Sequence, residues 1–172
     1  MAIPFKLGEL PSQVKNGPHL DASSTLMKAL KEGRIDIIAS DHAPHSKEEK
    51  QGTYEQVKSG APIVQHSLNI MLEFYKQGLI SLEKIVEKMC HNPAKLYKID
   101  KRGFVREGYY ADLAIVDLNS PWTVEKKNVL YKCGWSPFEG ASFSYAIDKT
   151  FINGNLVFSD GKIIEGSLGE RL

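Results

Sequence analysis

The stretch Ile35-Asp36-Ile37-Ile38-Ala39-Ser40-Asp41-His42-Ala43-Pro44-His45 decides how the chain is read. Apart from Asp36, its first half is apolar and rich in β-branched residues, without the polar alternation of a half-exposed strand. That pattern predicts a strand in a parallel sheet, covered on both faces, over residues 35–40. The run stops at a carboxylate, Asp41, and turns through His42-Ala43-Pro44-His45. Parallel α/β barrels deliver catalytic or metal-binding acids in this way, at the C-terminal ends of strands around the barrel mouth. The residues alone leave two uses for Asp41: an active-site acid, or the N-cap of the following turn. Side chains alternate along a strand, so Asp41 shares a face with Ile37 and Ala39, and His42 points the other way.

The flanks fit a βαβ unit. Asp21, Ser23 or Ser24 can cap a helix whose apolar positions Leu26, Met27 and Leu30 recur at helical spacing, with Gly33 to end it. Residues 46–65 read as a long polar loop containing Gly52, Gly60 and Pro62, and a loop of that length after a barrel strand is usually functional. A helix from about His66 to Gln77 follows, stopped by Gly78. Ser81 caps another carrying Leu82, Ile85, Val86 and Met89, which Asn92-Pro93 breaks before a last short turn. From Lys101 the pattern becomes short β-prone runs: a strand within Tyr109 to Asp117, a hairpin turning at Asn153-Gly154, and a second turn at Asp160-Gly161. The predicted fold is α/β: the C-terminal part of a (β/α)8 barrel over residues 1–100, then a small β-rich domain over 101–172.

Bulk properties exclude several classes. The 172 residues carry 22 Lys and Arg against 21 Asp and Glu, with no basic block, so nucleic acid is not implied as a partner. No apolar run is long enough to span a bilayer and the start has no signal-peptide pattern, which makes a cytoplasmic location the expectation. Cys90 and Cys133 are too few and too far apart for a disulfide framework and read as free thiols.

The words Asp41-His42-Ala43-Pro44-His45-Ser46-Lys47-Glu48-Glu49-Lys50, with Ser136-Pro137-Phe138-Glu139-Gly140 and Gly108-Tyr109-Tyr110-Ala111-Asp112-Leu113, closely resemble motifs of the dihydroorotases, in the amidohydrolase superfamily. The resemblance covers essentially the whole chain and implies roles. Asp41 becomes a zinc ligand and proton shuttle, and His45 the histidine that contacts the substrate carboxylate. Ala61 and Pro62 lie in a stretch similar to the A-P-x-G segment that offers backbone groups to substrate, although Ile63-Val64 stand where x-G is usual. Asn16 matches the ring-binding Asn of a V-N-P-P-L-R strand end, with Gly17 and His19 departing from that pattern. His42 takes an orienting part, and Asn92-Pro93-Ala94 resembles the family's N-P-A helix start, which makes His91 a capping residue.

A whole (β/α)8 barrel takes about 250 residues, and catalytic zinc about three protein ligands. The H-x-H pair, carboxylated lysine and further histidines of the family are not in this sequence. It reads as a C-terminal fragment of a dihydroorotase-like enzyme using one or two zinc ions, inactive alone and prone to self-associate. The intact protein is expected to act on a small molecule, N-carbamoyl-L-aspartate or L-dihydroorotate, as a homo-oligomer or beside aspartate transcarbamoylase. Two rival readings stay open: another cyclic amidohydrolase such as an allantoinase or dihydropyrimidinase, and a non-catalytic dihydroorotase-like subunit.

Overall fold

The computed structural model describes residues 19–166 apart from 54 and 56, with the backbone alone for 19–24. The first helix, α1 (His19–Lys31), starts earlier than its sequence caps predict, so Asp21, Ser23 and Ser24 fall within it. It ends as Gly33 predicts. Gly33 adopts φ +76°, its N–H reaches the Leu30 carbonyl (3.2 Å), and the Arg34 N–H reaches back to Ala29 (2.9 Å). This paired closure needs a left-handed residue, which glycine supplies without a Cβ penalty.

The decisive segment then runs extended, but it is only partly covered. Ile38 is buried, Ile35 and Ile37 are half-buried, and Asp36, Ala39 and Asp41 are exposed. This corrects the expectation of two-sided burial in a continuous parallel ladder. Among the described residues the segment's neighbours are single attachments: a parallel bridge from His42 to Ala61, the Ile38 N–H to the Lys88 carbonyl (3.1 Å), and Asn92 Nδ2 to the Asp36 carbonyl (2.8 Å).

A 3₁₀ turn (Val64–His66) leads into α2 (Ser67–Lys76). Ser81 caps α3 (Leu82–Val86), its Oγ accepting the Lys84 N–H at 3.2 Å. The break expected at Asn92-Pro93 does not occur: a π-helical turn (Glu87–His91) carries α3 straight into α4 (Asn92–Leu96). In the wider π register the Lys88 carbonyl would seek an N–H at residue 93, which is Pro93 and has none. That carbonyl accepts from Ile38 instead. The proline therefore frees the group that ties the Asp41 segment to the helix. His91 makes no side-chain cap; its ring stacks on Phe104 with centroids 4.2 Å apart.

The β-prone runs fold as predicted, with two short additions. Strands β1 (Leu113–Asp117), β4 (Ala146–Ile152), β5 (Asn155–Ser159) and β6 (Lys162–Ile163) form an antiparallel sheet in the order β1-β4-β5-β6, while β2 (Trp122–Thr123) pairs with β3 (Ser142–Phe143). Both sequence-marked hairpin turns place two successive residues at positive φ, Asn153-Gly154 and Asp160-Gly161, which matches the twist of the flanking strands. Val124, Phe138 and Phe143 leave this sheet aside and pack into one core with Leu30, Ile38, Ile70, Met71 and Phe74. The segment around β2 and β3 is thereby fixed against α2, where Asn69 Nδ2 and Trp122 Nε1 both donate to the Tyr145 carbonyl (2.9 and 3.1 Å).

Candidate active site

Asp41 sits where the extended segment turns, at φ +48°. A non-glycine residue in the left-handed region is uncommon, and Asp and Asn are the side chains that tolerate it best. Such outliers are kept where the surroundings over-determine them, often at functional positions. The surroundings here are explicit. The Ala43 N–H donates to the Ala61 carbonyl (3.2 Å), and His42 Nδ1 accepts the N–H groups of Ile63 (3.0 Å) and Val64 (3.2 Å). Through this acceptor nitrogen the His42 ring stitches the Asp41 turn to the chain just past Ala61-Pro62. Gly60, at φ +104°, passes so close to Ala43 that an added Cβ would collide with the Ala43 Cβ and lie 3.0 Å from its carbonyl oxygen. No side chain fits between the two loops.

His45 follows on the same loop, half-buried. Its Nδ1 lies 3.5 Å from Glu49 Oε2, and its carbonyl accepts the Trp135 indole N–H at 2.7 Å. Glu49 also accepts the Ser46 N–H, and that backbone bond is the main cause that draws its carboxyl below the usual range. Lys50 Nζ closes the loop by donating to the carbonyls of Lys58 (2.6 Å) and Gly60 (3.0 Å). Four of the five predicted site residues, Asp41, His45, Ala61 and Pro62, therefore belong to two stitched loops. Asn16 lies outside the described residues. Asp41 is exposed, and among the described residues no group of three His, Cys, Asp or Glu could hold a metal ion.

The support behind these loops was not legible in the sequence. The Tyr131 hydroxyl accepts the Gln65 N–H (2.9 Å), its ring lies 5.2 Å from that of His42, and burial pushes its phenol up to about 12. The Gln65 amide donates to the Asn128 carbonyl (2.8 Å) and accepts the Leu130 N–H (2.9 Å). His66 is fully buried in a box of Trp122, Tyr131, Phe138 and Phe143, with ring centroids 5.5–5.9 Å away, and among the described residues neither ring nitrogen has a hydrogen-bond partner. Sequence reasoning took His66 as structural, and the box bears this out.

Burial pushes the His66 imidazole down to about 4. The unfolded chain takes up this proton near 6.5 and the folded chain near 4, so between those values the unfolded state binds more protons. Stability is expected to fall as pH drops through that window, by ~3 kcal/mol at its lower end. Urea denaturation of wild type and His66→Phe at pH 7 and pH 4 checks this. The variant should lose much less stability on acidification, and an identical loss in both proteins would refute the assignment.

The extended segment ending at Asp41, the helices packed against it and the β-rich part that follows define the class by fold: the C-terminal part of a (β/α)8 barrel with a β-rich extension. The amidohydrolase family profile matches residues 22–157, and the chain belongs to that family. It is similar to the dihydroorotase of Pyrococcus furiosus, 38% identical over 139 residues, covering 81% of this chain and 32% of that protein. It is also similar to the dihydroorotase of Pyrococcus abyssi, 36% identical over 138 residues, covering 80% and 33%. Among solved structures, the L-hydantoinase (dihydropyrimidinase) from Arthrobacter aurescens superposes with a TM-score of 0.76 at 33% identity, over 84% of this chain and 33% of that one. The chain spans about a third of the length of the curated relatives it matches. No helix among the described residues is long and apolar enough to cross a membrane.

Proposed function

We propose that this chain is the C-terminal part of a zinc-dependent dihydroorotase, a cytoplasmic enzyme of pyrimidine synthesis that interconverts N-carbamoyl-L-aspartate and L-dihydroorotate. In this reading residues 1–100 complete the barrel, 101–172 form the β-rich domain, and the intact enzyme is a homo-oligomer or works beside aspartate transcarbamoylase. The observation that carries the proposal is the left-handed Asp41, held at the end of its extended segment by His42 and joined to the loops of His45 and Ala61-Pro62. The relatives named dihydroorotase support it.

The chemistry follows from what these groups can do. In hydrolysis Asp41 accepts the proton of the attacking water and passes it to the leaving ring nitrogen, and cyclisation reverses the order. Its exposure leaves the carboxylate free to meet a substrate. His45, with Nδ1 facing Glu49, offers its other ring nitrogen to the substrate carboxylate. Asn16 contacts the ring, and Ala61-Pro62 form the adjoining wall. Zinc, where bound, would polarise the amide carbonyl. Asp41 would be one ligand, and among the described residues no group of three His, Cys, Asp or Glu stands together, so they do not form a catalytic centre by themselves.

A second reading, a hydantoinase, is favoured by the likeness to the Arthrobacter aurescens structure. The two separate on one variant in the intact enzyme. His45→Asn should raise KM for dihydroorotate about tenfold or more with kcat little changed, because the contact is made equally in ground and transition states. KM for unsubstituted hydantoin, which lacks the carboxylate, should hardly move. Steady-state kinetics on both substrates checks this, and an unchanged KM for dihydroorotate would remove His45 from carboxylate binding.

A further inference from the structure

The Trp135–Gly140 segment shares its motif with the dihydroorotases, yet none of its residues enters the chemistry above. It is internally closed. Ser136 Oγ accepts the Phe138 N–H (3.2 Å), the Glu139 N–H meets the Ser136 carbonyl (3.3 Å), and the Gly140 N–H meets the Val124 carbonyl (2.8 Å). Phe138 at its centre is buried in the box around His66. At its near end the Trp135 indole N–H points across 90 residues of chain to the His45 carbonyl at 2.7 Å, a short bond between part-buried groups. The loop it reaches is otherwise held on its far side, by Lys50 on the carbonyls of Lys58 and Gly60. The His45 side chain itself meets Glu49, an exposed neighbour on the same loop, at 3.5 Å.

We propose that Trp135 is a positioning residue for His45: the 135–140 turn, anchored in the core through Phe138, is a strut whose indole N–H sets where the His45 backbone stands. The strut itself is independent of the enzyme's substrate, and only its kinetic consequence rests on the dihydroorotase reading. Trp135→Phe removes the donor and keeps most of the ring. In the full chain, amide hydrogen exchange over residues 45–50 should quicken about tenfold, while α2 exchanges as before. In the intact enzyme, KM for dihydroorotate should rise roughly five- to tenfold with kcat within about twofold, the scale of one lost hydrogen bond. Combined with His45→Asn, the double variant should show no further rise in KM, because both changes act through one imidazole.

Unchanged exchange at 45–50 would overturn the strut, and so would additive effects or a fall in kcat at constant KM. If Trp135→Phe does not fold, the wild-type indole resonance decides: slow solvent exchange of the Trp135 Nε1 proton supports the bond, and rapid exchange refutes it. A preference for hydantoin over dihydroorotate would sink the substrate assignment and leave the exchange result standing, so the two failures are distinguishable.

Discussion

Asp41→Asn in the intact enzyme is expected to lower kcat by 10²-fold or more, the scale on which a positioned general acid–base group contributes. The substitution is clean because of the backbone. At φ +48° most side chains would add strain of their own, whereas Asn occupies the left-handed region as readily as Asp. What changes is the ability to take up and release a proton. The His42 ring bonds to the backbone of Ile63 and Val64 and not to the Asp41 side chain, so the stitch between the loops should survive and the substrate should still bind. A fall in kcat with KM nearly unchanged is therefore the expected pattern, measured in both directions with zinc content determined for each protein. Near-wild-type kcat in a zinc-replete variant would remove Asp41 from the proton transfer.

The largest expected effect on stability is at Phe143. Its side chain is almost completely buried in the core, with the rings of His66 at 5.7 Å, Trp122 at 5.5 Å and Phe138 at 6.2 Å. Phe143→Ala removes the ring from a site that β2, β3 and α2 hold on several sides, so little collapse can refill the space. A loss of about 3–5 kcal/mol is expected. Val105→Ala, at a position 87% exposed, should stay within about 0.5 kcal/mol of wild type. Urea denaturation of the three proteins under one set of conditions makes the comparison. A Phe143→Ala loss below about 1 kcal/mol would mean that the segment carrying β2 and β3 is not part of the core.

The local signals in the sequence were those that depend on neighbouring residues. Gly33, Ser81, Asn153-Gly154 and Asp160-Gly161 each fix a helix end or a turn through the backbone angles or hydrogen bonds of a few residues, and each does so where expected. The place of Asp41 at the end of its extended segment was legible because an apolar run ending in a carboxylate is itself a local pattern. The misses are all long-range. Two-sided burial of residues 35–40 needs neighbours that the described residues do not supply. The continuity of α3 through Pro93 depends on Ile38, far away in sequence, accepting the role of partner to the Lys88 carbonyl. Tyr131, Gln65 and Trp135 act on loops 63 to 90 residues away, and no spacing rule announces such pairs. The one available hint was the Trp immediately before Ser136-Pro137-Phe138-Glu139-Gly140.

The central claim is that these loops belong to an enzyme whose substrate is a cyclic amide carrying a carboxylate for His45. The direct measurement is kcat/KM of the intact enzyme for dihydroorotate, allantoin and hydantoin, side by side at one pH with saturating zinc. A site that pairs a buried or half-buried group with a substrate carboxylate discriminates strongly against analogues lacking it. Dihydroorotate is expected to be preferred by about 10²-fold or more. Equal or better turnover of hydantoin or allantoin would contradict the account.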